Sequence, residues 1–249
     1  MARALHIGVL SAMPEEIGSD LSHIQQLRSE QHGDLTIHHG SWGDDICLSL
    51  AWSGWGKVSA ARAATRLLCS APGINLLLFT GVAGGADPSL KQWDVVLANA
   101  VVQHDMDSRP LFPRFTLPAL NRAQLDPDSR WLTWASTALT EADDAGELDG
   151  FGTPSTGLIA TGDRFIGDAD VLDALREALP GLRAVEMEGA AVAQVAEQEG
   201  IPWLVLRVIS DGADASAAQS FRAFIQLYER RAWCLLQALL SRVEQAPER

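Results

Sequence analysis

The sequence predicts a single α/β domain, built as a three-layer αβα sandwich around a mixed, twisted central sheet. Short apolar runs of the length of buried strands alternate with helical segments along the chain. No linker, repeat or low-complexity tract interrupts residues 1–249. Hydrophobic residues make up 47% of the chain, which is enough for one large core.

The first part of the chain predicts strands, one helix and a glycine-rich turn. Residues 42–45, Trp-Gly-Asp-Asp, separate two strands as in a hairpin. Residues 53–59 come next, and a helix then runs to about residue 69. Residues 81–86, Gly-Val-Ala-Gly-Gly-Ala, form a turn where backbone comes close to a ligand or to a neighbouring strand. The predicted strands span residues 5–10, 35–41, 46–52, 75–80 and 94–104.

Residues 105–127 interrupt this alternation. Four prolines exclude a long helix there, and apolar side chains lie between them. A long irregular segment within a compact domain is usually functional or makes a contact. We interpret it either as a loop that walls a site or reaches a partner subunit, or as a loop docked on its own domain.

The rest of the chain returns to alternating helices and strands. The last helix is predicted because apolar residues recur at three- and four-residue spacing, which gives it one buried face. A turn near residue 165 carries the apolar pair Phe165 and Ile166, which suits either the core or contact with a flat ring. Helices are predicted at residues 129–141, 171–179, 189–199 and about 219–243, and strands at 156–161, 182–185 and 203–209.

Charge and cysteine usage exclude several classes of function. A net charge of −13 repels phosphate backbones and anionic lipid, so we expect no nucleic acid and no membrane as partner. No apolar run reaches the length of a membrane span, and the apolar run at the start is too short for a signal peptide. The three cysteines and the histidines show no disulfide or metal-ligand spacing. We expect a cytoplasmic protein with reduced thiols, no metal and no cofactor.

Carboxylates follow three of the predicted strands. Glu16 follows the first strand, Glu186 and Glu188 stand where a short apolar strand gives way to an Ala-rich helix, and Asp211 lies just beyond the next strand. In α/β sheets, ligands bind outside the carboxyl ends of the strands. Acidic residues also favour the positive end of a following helix, and for Glu16 that alternative stays open. For Glu188 and Asp211 together, the spacing favours a functional site.

These segments resemble the nucleoside phosphorylase/nucleosidase superfamily. The motifs are Val-Glu-Met-Glu at residues 185–188 and Arg-x-Ile-Ser-Asp-x-Ala-Asp at residues 207–214, and the likeness keeps its order along nearly the whole chain. Within the superfamily, the strongest likeness is to bacterial 5′-methylthioadenosine/S-adenosylhomocysteine nucleosidases. The resemblance implies a small-molecule purine nucleoside as substrate and hydrolysis of the bond between adenine and a 5′-thio-substituted ribose. It also implies a homodimer, in which residues 105–127 lie near the partner.

The resemblance further implies the catalytic roles. Asp211 would protonate adenine at N7, Glu16 would activate water, and Glu188 would accept hydrogen bonds from the ribose hydroxyls. These roles suit the chemistry, because breaking an N-ribosyl bond builds positive charge on the sugar and negative charge on the base, as in inverting glycosidases. For its role, Asp211 needs a raised pKa or a proton held by its neighbours.

The remaining implied site residues bind the two halves of the nucleoside. Met187 would pack on the sugar, Phe165 would stack on adenine, and the backbone of Ile166 would read the adenine edge. Ser210 and Arg207 would support Asp211 and Glu16. The other substrate-binding residues are Phe221 at the 5′-thio end, Val82 and Ala83 of the glycine-rich turn, and Glu186, which matches the motif without a defined role.

Three alternatives stay open at this point. A phosphorylase of the same superfamily needs fixed positive charge for phosphate, whereas Glu16 would repel phosphate and suits water. A nucleosidase for another purine nucleoside, such as futalosine, is the second alternative, and an inactive nucleoside-binding protein is the third. The chain departs from the nucleosidase pattern at Val82, Trp55 and residues 108–113, which bears on the choice of 5′-substituent.

Overall fold

The computed structural model describes residues 5–18 and 21–247, and it shows a ten-stranded mixed sheet with helices packed against it. The strands are β1 (Leu5–Ser11), β2 (Gln25–His32), β3 (Leu35–Trp42), β4 (Ile46–Trp52), β5 (Leu76–Gly85), β6 (Val95–Gln103), β7 (Gln124–Leu125), β8 (Ser155–Thr161), β9 (Leu182–Glu186) and β10 (Trp203–Asp211). The α-helices are α1 (Lys57–Ser70), α2 (Ser129–Asp144), α3 (Ala169–Ala178), α4 (Gly189–Glu199), α5 (Ala217–Tyr228) and α6 (Ala232–Leu240). Within the described ranges, none of these helices is long and apolar enough to cross a membrane.

The sheet separates the two larger of three hydrophobic cores, because successive side chains of a strand point to opposite faces. In β5, Leu76 and Leu78 belong to the core that contains side chains of α2, α5 and α6. Their neighbours Leu77 and Phe79 belong to the core that contains side chains of α1 and α4. Strands β1 and β10 divide their apolar residues in the same way. Helices therefore cover both faces of a mixed sheet, which confirms the predicted fold class.

Part of the sheet closes on itself. The strand order is β10-β6-β8-β9-β5-β1-β4-β3-β2, and β5 also pairs with β10, so that five strands form a ring. The ring closes because the last residues of β5, Gly84 and Gly85, leave β1 and pair with Val185 and Ala184 of β9. The sequence predicted a mixed sheet but not this closure, which depends on long-range pairing.

The ring brings the ends of several strands to one place. Strands β1, β5 and β10 are parallel neighbours, so their carboxyl ends lie at one edge. The register between β10 and β5 shifts between Ile209 and Asp211, which is a local bulge at Ser210. Bulges of this kind redirect side chains beside functional sites. Glu16, which follows β1, and Asp211, which ends β10, therefore lie at this edge. Strand β9 runs antiparallel to β5, and the pairing of Val185 with Gly84 brings Glu186 and Glu188 to the same place.

The main differences from the sequence predictions concern β2, β5 and the last helix. Strand β2 was not predicted, because it is an edge strand rich in polar residues and its side chains are mostly exposed. Strand β5 continues through the glycine-rich turn to Gly85 instead of ending at residue 80. The predicted last helix is wrong as a single element: it breaks into α5 and α6 around residues 229–231. Its apolar spacing continues across the break, so the sequence pattern did not show it.

Residues 105–127 are mostly irregular, as predicted, with the two-residue strand β7 near their end. Leu117 and Leu125 are buried in the core beside α1 and α4, so this part of the segment docks on its own domain. Leu111 is 82% exposed. The segment therefore combines an anchored end with a projecting apolar side chain.

Candidate active site

A cavity lies where the ends of β1, β5, β9 and β10 meet. Its empty volume, open mouth included, is about 560 Å³. Of the twelve predicted site residues, eleven line the cavity and Arg207 does not. The eleven are Glu16, Val82, Ala83, Phe165, Ile166, Glu186, Met187, Glu188, Ser210, Asp211 and Phe221.

Glu16 lies on the short helical turn after β1, and its side chain is buried. Its Oε2 accepts hydrogen bonds from the backbone N–H of Ala12, at 2.8 Å, and of Met13, at 3.0 Å. Its Oε1 accepts from the N–H of Val82, at 2.9 Å. Burial raises the pKa of Glu16, and the Arg207 charge and these three donors oppose the rise. The carboxylate is therefore fixed in one orientation at the cavity wall.

Arg207 lies in β10 behind the cavity, with 1% of its surface exposed. Its guanidinium donates to the Glu186 carboxylate, and its central carbon lies 4.2 Å from the centre of the Phe79 ring. Glu186 also accepts from the Thr161 hydroxyl and from the N–H of Gly189. Burial disfavours the charged guanidinium, but three neighbouring glutamates outweigh it and raise the pKa of Arg207. Arg207 was predicted among the substrate-binding residues as a support for Asp211 and Glu16. It lies outside the cavity lining, where it donates to Glu186 and its charge acts on the pKa of Glu16.

Glu188 stands just before α4 and is buried. Its Oε1 accepts a hydrogen bond from the N–H of Gly56, at 2.7 Å. Gly56 is the residue before α1, so the positive end of that helix faces the carboxyl. Burial and the nearby Glu186 charge raise the pKa of Glu188 to about 8. Ionisation of Glu188 is therefore unfavourable in the empty site, until a bound ligand stabilises the charged carboxylate.

Asp211 ends β10, beside the bulge at Ser210, and is buried. Its Oδ2 accepts from the Ser210 hydroxyl at 2.7 Å, and its Oδ1 accepts from the N–H of Ala213 at 2.9 Å. Burial raises the pKa of Asp211, while these two hydrogen bonds oppose the rise. Asp211 therefore keeps its proton to a higher pH than an ordinary aspartate, which suits a proton donor.

Aromatic side chains surround the mouth of the cavity. The Phe221 ring, from α5, makes edge contacts with Trp55 at 6.1 Å and with Phe165 at 6.2 Å between ring centres. Trp55 is 53% exposed and Phe165 is 41% exposed. Such flat apolar surfaces suit a planar ring or an apolar substituent. The three rings form the aromatic rim of the cavity.

Several lining groups were not among the predicted site residues. The sequence gives little indication of these residues, because some of them contribute backbone N–H groups to the site. A pattern of side-chain types does not predict where backbone N–H groups point. Position gives a partial signal, since some of them directly precede a predicted site residue. The additional lining residues are Ala12, Met13, Trp55, Gly84, Arg164 and Val185.

The cavity wall is acidic. Four lining side chains are carboxyls, Glu16, Glu186, Glu188 and Asp211, and in the part of the chain that the structure describes Arg164 is the one basic lining residue. An anion deep in the cavity would face these carboxyls, whereas a neutral or cationic group would not be repelled. Within residues 5–18 and 21–247, no group of three His, Cys, Asp or Glu side chains is arranged to hold a metal ion.

Known proteins share both the sequence and the fold. The family model described as Phosphorylase superfamily matches residues 6–241. The 5′-methylthioadenosine/S-adenosylhomocysteine nucleosidase of Chromohalobacter salexigens is 32% identical over 237 residues, covering 95% of this chain and 97% of that protein. The S-adenosylhomocysteine nucleosidase of Streptococcus pyogenes, solved in complex with 5-methylthiotubericidin, has a TM-score of 0.86 and 31% identity over 96% of this chain and 97% of its own.

A second activity occurs among the structural relatives. The native structure of futalosine hydrolase of Helicobacter pylori has a TM-score of 0.85 and 29% identity, covering 96% of this chain and 98% of its own. The sequence resemblance is therefore confirmed at the level of the superfamily and of its nucleosidases. Because the family model and these relatives match nearly the whole chain, the chain belongs to the phosphorylase superfamily.

Proposed function

We propose that this protein hydrolyses the N-ribosidic bond of 5′-thio-substituted adenine nucleosides, 5′-methylthioadenosine and S-adenosylhomocysteine, to adenine and the thioribose. The observation that carries the proposal is the pair of carboxyls on one cavity wall. Glu16 is fixed by three N–H donors, and Asp211 has a raised pKa. The relatives named as nucleosidases for these substrates support it.

Asp211 serves as the acid. As the N-ribosidic bond lengthens, negative charge collects on the leaving adenine, and protonation at N7 neutralises it. Burial raises the pKa of Asp211, so the proton is present at higher pH than in an ordinary aspartate. Ser210 orients the carboxyl by donating its hydroxyl to Oδ2.

Glu16 serves as the base that orients and activates water. Its carboxylate is held by Ala12, Met13 and Val82 and lines the cavity, so a water between it and the sugar would be aligned for attack. The same charge would repel phosphate, and the one basic lining residue in the described chain, Arg164, is exposed. These contacts favour hydrolysis over phosphorolysis.

The remaining side chains divide between the sugar and the base. Glu188 accepts hydrogen bonds from the ribose hydroxyls, and Met187 packs on the sugar. Phe165 stacks on adenine, and the Ile166 backbone reads its edge. Phe221 lines the 5′-substituent, consistent with its place in the aromatic rim. Val82, Ala83 and Glu186 complete the wall, and Arg207 supports Glu186 from behind it.

Product analysis tests this function. Methylthioadenosine is supplied to a phosphate-free preparation, with and without added phosphate, and adenine and the sugar product are quantified. Adenine with free methylthioribose, at a rate indifferent to phosphate, is the expected result. A sugar 1-phosphate, formed only with phosphate, would make the protein a phosphorylase and overturn the role of Glu16. Tight binding of adenine nucleosides without release of base would indicate a binding protein.

A second candidate substrate is futalosine, because the futalosine hydrolase of H. pylori shares this fold at 29% identity. Competition separates the two activities. Futalosine and methylthioadenosine are mixed at equal concentration, and the two released bases are quantified. Preferential release of adenine supports the first candidate, and preferential release of hypoxanthine supports the second.

We also propose a single domain over residues 1–249 that works as a homodimer in the cytoplasm, with residues 105–127 near the partner. Exposed Leu111 supports the contact, and three free cysteines suit a reducing compartment. Sedimentation of wild type and of Leu111→Ser at micromolar concentration tests the dimer. A wild-type monomer would contradict it.

A further inference from the structure

The carboxylate of Asp105 joins two parts of the active site that are far apart in sequence. Its Oδ1 accepts a hydrogen bond from Lys57 Nζ at 2.6 Å, and Lys57 is the first residue of α1. Its Oδ2 accepts from the N–H of Asp163 at 3.0 Å, in the turn after β8. The Asp163 carboxylate in turn accepts a hydrogen bond from the backbone N–H of Lys57 at 2.8 Å. Lys57, Asp105 and Asp163 therefore form a closed set, which we call the Asp105 bridge.

Each end of the Asp105 bridge connects to a cavity-lining residue, Glu188 at one end and Phe165 at the other. On one side, Gly56 directly precedes Lys57, and its N–H holds the Glu188 carboxyl at 2.7 Å. On the other side, Asp163 lies two residues before Phe165 in the turn that carries Phe165 and Ile166. The bridge thus fixes the distance between Glu188, which is proposed to bind ribose, and Phe165, which is proposed to stack on adenine.

The bridge also satisfies backbone donors at the start of α1. The first N–H groups of a helix have no partner within it, and here no side chain next to Gly56 caps them. Glu188 and Asp163 supply the acceptors from elsewhere in the chain. Burial disfavours the Asp105 carboxylate, but the hydrogen bonds from Lys57 and Asp163 outweigh this and keep the pKa of Asp105 below its ordinary value. The bridge is therefore charged at neutral pH.

We propose that Asp105 is a positioning residue that sets substrate affinity by holding the turn at residues 162–166 against the start of α1. The expected effect on turnover rests on the function proposed above, whereas the bridge itself does not. Asp105 itself does not line the cavity. Loss of the bridge should therefore weaken binding of both halves of the nucleoside, while leaving the chemistry of Asp211 and Glu16 in place. Such a loss raises KM and leaves kcat nearly unchanged.

The test compares Asp105→Ala with Asp107→Ala in the full-length protein. Asp107 lies two residues further along the same segment, and its carboxylate accepts hydrogen bonds from Arg109 rather than from α1 or the turn. For methylthioadenosine, Asp105→Ala should raise KM about tenfold, with kcat within about threefold of wild type. Asp107→Ala should leave both constants unchanged. An equal fall of kcat and kcat/KM in Asp105→Ala, with unchanged KM, would overturn the positioning role.

A double variant and a measurement without substrate complete the test. Lys57→Met removes the side-chain hydrogen bond to Asp105 and should also raise KM. The double variant should be no worse than Asp105→Ala, since Asp105→Ala already removes that hydrogen bond. Multiplied effects would overturn the bridge. Amide exchange in the substrate-free protein should speed up at Asp163 in Asp105→Ala and not in Asp107→Ala. Unchanged amide exchange at Asp163 in Asp105→Ala would refute the bridge, and this result does not depend on whether the protein turns over methylthioadenosine. Absence of turnover in the wild-type protein would refute only the proposed function.

Discussion

The carboxylate of Glu16 occupies the space that a side chain at Gly81 would need. A Cβ added to Gly81 would collide with Glu16 Oε1 and lie 2.6 Å from Nη1 of Arg207. Gly81 is in the middle of β5, and its φ of +154° also suits glycine. A glycine inside a buried strand is thus explained by the approach of a buried acid on one side and a buried base on the other.

Gly81→Ala should therefore inactivate the enzyme by displacing Glu16. We expect base release to fall at least about a hundredfold, because the carboxylate loses its place beside the Val82 N–H. Gly43→Ala is the control, since Gly43 has a φ of +59° but a Cβ there meets no atom within 4 Å. Gly43→Ala should lower the stability of the fold and leave the rate of base release per folded molecule unchanged. Near-normal turnover of folded Gly81→Ala would show that the position of Glu16 is not critical.

Asp211→Asn should abolish base release in a protein that still folds. Asparagine keeps the shape and can accept the hydrogen bond from Ala213, but it has no proton to give to the leaving base. We expect kcat to fall by about 10²–10⁴, the usual contribution of a general acid. Adenine release is measured beside the circular dichroism spectrum. Asp214→Asn, at an exposed neighbour, should retain turnover; a fully active Asp211→Asn would remove Asp211 as the acid.

Ser210→Ala should move the alkaline limb of the pH–rate profile. The Ser210 hydroxyl donates to Asp211 and lowers the pKa of that carboxyl against the effect of burial. Without it, the pKa of Asp211 rises further, so the acid keeps its proton to higher pH. The profile of kcat/KM, which falls as pH rises through this pKa, should shift to higher pH. A shift to lower pH, or none, would contradict Asp211 as the titrating acid.

The site shows which features a sequence reveals and which it does not. Glu188 and Asp211 were predicted because each follows a strand, and ligands bind at the carboxyl ends of strands in an α/β sheet. The role of Glu16 came from the family resemblance, and all three side chains line the cavity. The donors that hold Glu16 are backbone N–H groups of Ala12, Met13 and Val82, and every residue type except proline carries one. Their direction depends on backbone conformation, which the sequence pattern does not report.

The fold shows the same division. Helix α4 was predicted at its observed bounds, because an Ala-rich segment between two apolar strands is a local signal. The closure of β5 onto β9 was not predicted, because it depends on Gly84 and Gly85 pairing with a strand about a hundred residues away in the sequence. Arg207 was predicted as a support for Asp211 and Glu16, whereas its hydrogen bond to Glu186, from behind the cavity wall, was not predicted.

Glu16→Gln should remove catalysis while substrate still binds. The amide has one oxygen where the carboxylate has two, so one of the N–H groups at Ala12, Met13 or Val82 would face an NH₂ group instead of an acceptor. We expect kcat to fall at least about a hundredfold, with KM within about threefold. Steady-state rates are compared with Glu15→Gln, which changes the neighbouring residue of the same turn and should be active. Restoration of the rate by phosphate would instead indicate phosphorolysis.

Glu188→Gln should make the substrate-free protein more stable and the enzyme worse. The folded protein raises the pKa of Glu188 from its ordinary value of 4.5 to about 8, so between these values the native state holds a proton that the unfolded chain gives up. Stability therefore falls as pH rises through that window. Glutamine keeps an oxygen for the Gly56 N–H and does not ionise, which removes this loss.

The gain from Glu188→Gln should grow with pH. Below about pH 4.5, wild type and variant should unfold at similar temperatures, whereas at pH 8 the variant should have the higher Tm, by about 2–4 °C for each 1 kcal/mol gained in a domain of this size. The control is Glu199→Gln, an exposed residue at the end of the same helix, which should leave Tm unchanged. KM of Glu188→Gln should rise, because the ribose hydroxyls lose a charged acceptor. A Tm that fell at pH 8 would show that the charged carboxylate stabilises the empty site, and the idea that Glu188 trades stability for ribose binding would be wrong.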